Sequence, residues 1–283
     1  MTFYFSSVSY KTIFTAVLLA MTAPLVLADL SLYPTRIVIE KNQRAAQVEL
    51  INSGTVPETY RINLVNRRMG EAGEFIAIDA PGPGDQFADE MLRYSPKQVT
   101  VLPGGSQTVR ILVRKPANLA AGEYRSHLQF DRVADSAGAS SLEQAANLDA
   151  NSIGVVITAL VGASIPIIVR QGETSVSGVL SDLTLIAATA ENGPMLSFQI
   201  QRIGNRSLYG DLSVSFIPKE GPALVLAKAG ALAVYVPNAM RLTRMVLQVP
   251  PGLLLTQGRL MLSFNERAEA GGKLIAQASL ILP

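Results

Sequence analysis

The chain has 283 residues, with 24 Lys and Arg against 22 Asp and Glu for a formal charge of +2, and it contains one His, no Cys and no Trp. The absence of Cys excludes a disulfide framework, thiolate metal sites and a Cys nucleophile. A balance this even, with Lys and Arg scattered along the sequence, offers no basic field for nucleic acid, and 48% hydrophobic residues over this length suit two domains that each close a core without staples.

Lys11 precedes an apolar run over residues 12–27 that ends Val26-Leu27-Ala28. This pattern predicts an export signal over 1–28, cleaved after Ala28. The run is broken by Pro24 and is short for a membrane anchor. Removing the segment takes away Lys11 and no acid, so +2 becomes +1.

Beyond Ala28 the hydrophobic period is two rather than 3.6. Arg36-Ile37-Val38-Ile39, Gln47-Val48-Glu49-Leu50-Ile51, Tyr60-Arg61-Ile62-Asn63-Leu64 and Thr108-Val109-Arg110-Ile111-Leu112-Val113 are short, β-branched and alternating. Asn52-Ser53-Gly54, Pro81-Gly82-Pro83-Gly84 and Pro103-Gly104-Gly105 punctuate them as turns. Residues 134–152 are small and polar and predict a long exposed loop. A strand over 154–170 follows, and Gln171-Gly172-Glu173 marks a domain boundary. Strand patterning then resumes in Leu196-Ser197-Phe198-Gln199-Ile200, Leu212-Ser213-Val214-Ser215-Phe216 and Met245-Val246-Leu247-Gln248-Val249. The expected fold is all-β, with two sandwich domains over 29–172 and 173–283. An internal echo relates them: Leu119, Gly122, Tyr124 and Leu128 recur as Leu255, Gly258, Leu260 and Phe264. In the first copy the Tyr124 hydroxyl is placed to tie a strand start to the preceding corner.

No catalytic constellation emerges. The single histidine, His127, alternates with Arg125 and Gln129 on one face of a strand, opposite Tyr124, Ser126, Leu128 and Phe130, and reads as a solvated sheet-face residue. Gly82, Gly84, Gly104 and Gly105 are turn glycines rather than a phosphate cradle. Asp85, Asp89 and Glu90 lack metal-ligand spacing. The expectation is a protein without enzymatic activity, cofactor, metal or small-molecule substrate.

The segment 154–170 is the informative one. Val155, Ile157, Ala159, Val161, Ala163, Ile165, Ile167 and Val169 make an unbroken apolar row on one parity, while Thr158, Gly162, Ser164 and Pro166 interrupt the other. Two explanations fit: a central strand buried on both faces, or an edge strand offering its row to another chain. Periodicity does not choose between them.

Tyr33-Pro34-Thr35-Arg36-Ile37-Val38-Ile39, Val48-Glu49-Leu50-Ile51-Asn52-Ser53-Gly54, the stretch from Tyr94-Ser95-Pro96 through Pro103-Gly104-Gly105 to Ile111, and Ser164-Ile165-Pro166-Ile167-Ile168-Val169-Arg170 resemble the PapD-like periplasmic pilus-assembly chaperones of the chaperone–usher pathway. The resemblance is good over 30–172 and thin over 173–283. It implies two immunoglobulin-like sandwiches set at an angle, in a periplasmic protein that lends a strand to pilin subunits and passes them to an outer-membrane usher. Under it, Val155, Ile157, Ala159 and Val161 would be the inserted side chains and the 134–152 loop would order on binding. The free protein would have an edge to cap, for instance by pairing with a second copy.

The family anchors the pilin carboxylate with two basic residues. Arg36 matches the first; Pro166 stands where the family keeps a lysine, as in its non-prototypical branches. Arg110, Arg125 and Arg132 are the candidate substitutes. By the same resemblance Arg170, Glu123 and an acid of the second domain, taken as Glu266, would form an interdomain ion cluster. The competing reading is a structural or adhesive surface protein whose 153–169 strand stays in its own core. With no Trp and 6% aromatic residues, a sugar site for an adhesin is hard to assemble.

Overall fold

The computed structural model describes residues 30–133, 162–189 and 192–283. The predicted signal over 1–28, the 134–152 loop and the row members Val155, Ile157, Ala159 and Val161 lie outside the described residues. Apart from two three-residue 3-10 turns, Asp89–Met91 and Ala268–Ala270, the regular structure among the described residues is strand.

The first half contributes β1 (Leu30–Tyr33), β2 (Ile37–Ile39), β3 (Ala45–Asn52), β4 (Glu58–Val65), β5 (Arg67–Met69), β6 (Phe75–Ala77), β7 (Leu92–Ser95), β8 (Gln98–Val101), β9 (Ser106–Val113), β10 (Gly122–Arg132) and β11 (Gly162–Gln171). The second contributes β12 (Val176–Ile186), β13 (Met195–Gly204), β14 (Leu208–Pro218), β15 (Leu224–Val234), β16 (Met240–Val246), β17 (Gly258–Asn265) and β18 (Leu274–Leu282). A sheet ordered β1-β3-β9-β7 faces one ordered β2-β11-β10-β4-β8, and the hairpin β5–β6 stands apart. In the second half β12-β13-β16 faces β15-β14-β17-β18.

Alternation in the sequence becomes inside and outside in the structure. Val48 and Leu50 of β3, Val109 and Ile111 of β9, and Leu128 and Phe130 of β10 meet in one core. Leu196, Phe198 and Ile200 of β13 meet Leu212, Val214 and Phe216 of β14 and Leu260, Leu262 and Phe264 of β17 in the other. Phe130, Phe198, Phe216 and Phe264 are completely enclosed, each burial stabilising by about 1.5–3 kcal/mol. Asn52 is one of the polar residues buried in the first half: its Nδ2 donates to the carbonyls of Val56 (2.8 Å) and Val101 (3.0 Å), closing the β3–β4 turn from inside.

The internal echo has a structural counterpart. Gly122 opens β10 and Gly258 opens β17, the penultimate strand of each half. The Tyr124 hydroxyl donates to the Ala120 carbonyl at 3.0 Å, fastening the strand start to its corner.

A smaller apolar cluster joins the halves. Met69 and Ile168 pack with Ala233 and Tyr235, flanked by Val38 and Tyr209. Polar ties cross beside it: Asn238 Nδ2 donates to the Met69 carbonyl (2.8 Å), and the Leu242 N–H to the Glu71 carbonyl (2.8 Å). The β5–β6 hairpin therefore clasps the second half.

That clasp corrects the expectation for His127. Arg125, His127 and Gln129 do share the outer face of β10, but the face is covered, and His127 is 2% exposed. Phe75 of the hairpin stands edge-on to its ring at 5.1 Å. Burial, and then the neighbouring Arg125 and Arg67, push the imidazole pKa down to about 3. Strand alternation marks two faces but does not say that a hairpin and a second domain will cover one of them.

Candidate functional site

The apolar row divides at the limit of the described residues. Ile165, Ile167 and Val169 point into the first core at 3%, 0% and 0% exposure. Ile168, on the opposite face, belongs to the cluster between the halves. The described part of the row thus serves its own core.

The edge of the same strand is different. On one side β11 pairs along its length with antiparallel β10. On the other it pairs with β2, in parallel, only through Ile167–Ile37, Ile168–Val38 and Val169–Ile39. Among the described residues, 162–166 have no strand neighbour on the β2 side. Exposure falls along β11 from this free end, Gly162 and Ser164 being exposed, to the paired end, where residues 167–169 are buried. The result is an open lane, continuous with β2 and ending where β2 begins.

Arg36 stands at that point, immediately before Ile37. Its guanidinium lies 4.1 Å above the Tyr209 ring of the second half. Nε and Nη2 are shielded from solvent and meet no hydrogen-bond acceptor among the described residues. Burial raises the Tyr235 hydroxyl pKa, against the opposing pull of Arg36 and Arg125. Arg125 lies 4.0 Å over the Tyr235 ring and donates to the Arg67 carbonyl at 2.9 Å. Its own pKa is pushed down to about 10 by burial, and Nε and Nη1 have no acceptor. Unpartnered buried donors of this kind are costly, and two like charges facing one phenol invite an anion.

The structure separates the three candidate substitutes for the missing lysine. Arg110 lies on β9, in the other sheet of the first half. Arg132 is committed to Glu58 at 2.9 Å. Arg125 shares the interdomain face with Arg36, yet is 5% exposed beneath the second half. Pro166 itself faces His127 across β10–β11, so neither residue supplies a cation there.

A cavity of about 330 Å³ opens beside Arg36 between the halves, with Arg170, Arg206, Tyr209, Glu266 and Arg267 in its wall. Arg267 is paired with Asp211 (2.8 Å) and Glu269 (3.1 Å). Arg206 makes no ion pair among the described residues; the sequence held no signal for it, since it sits in an ordinary Asn205-Arg206-Ser207 turn.

The structure brings Arg170 and Glu123 together, Nε donating to Oε2 at 3.0 Å, and adds Glu40, which takes Nη1. The expectation for Glu266 is corrected. It lines the same cavity but forms no ion pair among the described residues, because both Arg170 contacts are taken by first-half carboxylates. The tie to the second half runs instead through Ser207, whose N–H (3.2 Å) and hydroxyl both donate to Glu123 Oε1. Glu123, 2% exposed, is saturated by these donors.

No protein-family model and no curated protein matches the chain. Among solved structures, the YadV chaperone is similar over 90% of this chain and all of its own length, at 11% identity and a TM-score of 0.45. The CupB2 chaperone of Pseudomonas aeruginosa is similar over 88% of this chain and 98% of its own, at 12% identity and 0.42. The CsuC–CsuE chaperone–tip subunit complex of Acinetobacter baumannii covers 90% of this chain and 100% of its own, at 11% identity and 0.43. Likenesses this loose carry no weight in the assignment of function.

Proposed function

We propose that the chain is a periplasmic chaperone of the PapD-like, chaperone–usher type. It binds pilin subunits by completing their fold with its own strand and delivers them to an outer-membrane usher. The observation that carries the proposal is the open lane along β11 that ends at Arg36.

The polarity of a guest strand follows from charge. A strand laid beside residues 162–166 occupies the lane ahead of β2 and must stop where β2 starts. If it runs parallel to β11, as β2 does, the group at its end is its chain-terminal carboxylate. If it runs antiparallel, the group is an α-ammonium. Beside Arg36, with Arg125 across Tyr235, the carboxylate is attracted and the ammonium repelled. A guanidinium also suits a carboxylate because it donates through two parallel N–H groups and keeps its charge. The guest therefore enters parallel, carboxylate last.

Backbone hydrogen bonds along the lane supply affinity, and alternate side chains supply selectivity. In this reading Val155, Ile157, Ala159 and Val161 continue the β11 row upstream and fill the groove that an incomplete pilin leaves open. Export by the signal over 1–28 places the chain where pilins are assembled. The resemblance of the Arg36, Tyr94-Ser95-Pro96 and Ser164-Ile165-Pro166 segments to the family supports the same reading.

Co-expression with a pilin encoded beside it should yield a one-to-one complex. Ile157→Asp together with Val161→Asp should abolish that complex while leaving the chaperone folded. A complex that survives both substitutions rules out strand lending.

A further inference from the structure

Lys and Arg are scattered in the sequence, but the fold gathers six of them. Arg110 and Arg114 follow the outward parity of β9, with Leu112 between them. Leu112 is flanked by Ala45 of β3 on one side and Arg93 of β7 on the other. Lys41, Arg44, Arg114 and Lys115 line a depression of about 400 Å³. Arg93, Arg110 and Leu112 line a neighbouring one of about 580 Å³. Neither depression has an acidic residue in its wall.

None of the six forms an ion pair among the described residues. Two are held in place by main-chain carbonyls instead. Lys115 Nζ donates to Arg170 (2.6 Å) and Lys41 (3.2 Å), and Arg93 Nη1 to Glu90 (3.0 Å) and Leu92 (2.8 Å). Desolvation lowers the Lys115 pKa, a strain that a bound anion would relieve.

We infer that the outer face of the β1-β3-β9-β7 sheet is a docking surface for an acidic protein. Three observations favour a compact protein over an extended polyanion or a lipid surface. First, the patch is small. Arg110 and Arg114 are four residues apart, about 13 Å, and Arg93 is one strand away, about 5 Å. Second, it is bounded by acids: Glu49 lies on the same face of β3, Glu90 beside Arg93, and Glu40 beside Lys41. With six positive charges here and +2 in all, the rest of the chain carries −4. A nucleic acid or an anionic membrane extending beyond the patch meets repulsion. Third, Leu112 is 58% exposed at the centre of the patch. An apolar centre ringed by charge is how protein interfaces are built, whereas phosphates gain nothing from a leucine. Arginine, four of the six, pairs bidentately with carboxylates. The surface stands independently of the strand-lending proposal, since it meets β11 only at Arg170 and Gln171, away from residues 162–166.

The test uses the full chain and a synthetic peptide alternating Glu and Leu, with poly-L-glutamate, vesicles of equal phosphatidylglycerol and phosphatidylcholine, and a DNA duplex as comparisons. At low salt the peptide should shift the amide resonances of residues 41–44, 93–95 and 108–115. Arg93→Gln, Arg110→Gln and Arg114→Gln together should weaken it roughly tenfold or more. All three positions are exposed, so the thermal midpoint should stay unchanged. Leu112→Ala should remove the advantage of the Glu–Leu peptide over poly-L-glutamate. Tighter binding of vesicles or DNA than of the peptide, or full peptide binding by the triple variant, overturns the inference.

Discussion

At one end of β11, Arg170 reaches Glu123 at 3.0 Å and also Glu40, and Glu123 spends its other oxygen on Ser207 of the second half. At the other end, residues 162–166 lack a strand neighbour on one side among the described residues, and Arg36 beside them keeps two enclosed N–H groups without an acceptor. The strand is the same and the charged residue type is the same. The difference lies in whether the fold supplies the anion. Where it does, the arginine fixes how the two halves meet. Where it does not, the proposed function has a carboxylate from outside complete the site. An unsatisfied buried donor costs stability, and that cost is what the proposed recognition of a guest carboxylate would offset.

The sharpest way to break this contrast is to remove each arginine and follow stability. Arg170→Ala leaves Glu123, with 1% of its side chain exposed, buried without the guanidinium that it pairs with directly. With only the longer-range pull of Arg202 and Arg125 left to offset that charge, the loss should cost about 3 kcal/mol in urea unfolding. Arg36→Ala removes a charge with no ion-pair partner among the described residues, one stacking contact and its approach to the Tyr235 hydroxyl, so its cost should stay within about 2 kcal/mol. Equal costs at the two sites would erase the distinction.

A smaller effect sharpens it. His127 lies on the covered face between the two ends, opposite Pro166, against Phe75, with Arg125 and Arg67 near. Its pKa is about 3 in the folded protein against an ordinary 6.5. Below pH 6.5 the unfolded chain takes up a proton that the folded chain refuses until about pH 3. Stability therefore falls as pH drops through that window, by about 1.4 kcal/mol per unit, or ~2 kcal/mol between pH 7 and 5. Urea midpoints at the two pH values should show this slope in the wild type and not in His127→Leu. An unchanged slope would mean that the face is open to water.

Much of the fold is readable in period-two alternation. Val48 and Leu50, Val109 and Ile111, and Phe198 and Ile200 alternate in sequence because they alternate in space. The Gly122 and Gly258 echo works for a similar local reason, since each glycine opens an equivalent strand. What alternation cannot convey is what covers the second face of a sheet. His127 looks solvated until the β5–β6 hairpin, some fifty residues earlier, folds over it. Glu266 fits an ion cluster by residue type, yet Glu40 and Glu123 reach Arg170 first. The six cations of the basic face come from three separate stretches and converge only through the pairing of β3, β9 and β7. Arg36 is conspicuous in sequence only through a family resemblance. Its missing acceptor and the lane that ends at it are properties of strand register.

The most direct test asks whether Arg36 reads the terminal carboxylate of a strand in the lane. A peptide matching the last strand of the partner pilin is prepared as the free acid and as the amide, and its affinity is measured for the wild type and for Arg36→Ala. Truncating one partner of an enclosed charge pair costs about 2–5 kcal/mol. Amidation should therefore weaken binding to the wild type by roughly 30-fold or more, and should leave Arg36→Ala nearly unaffected. Equal affinities of the acid and the amide for the wild type, or the same loss on amidation in both proteins, would contradict the account.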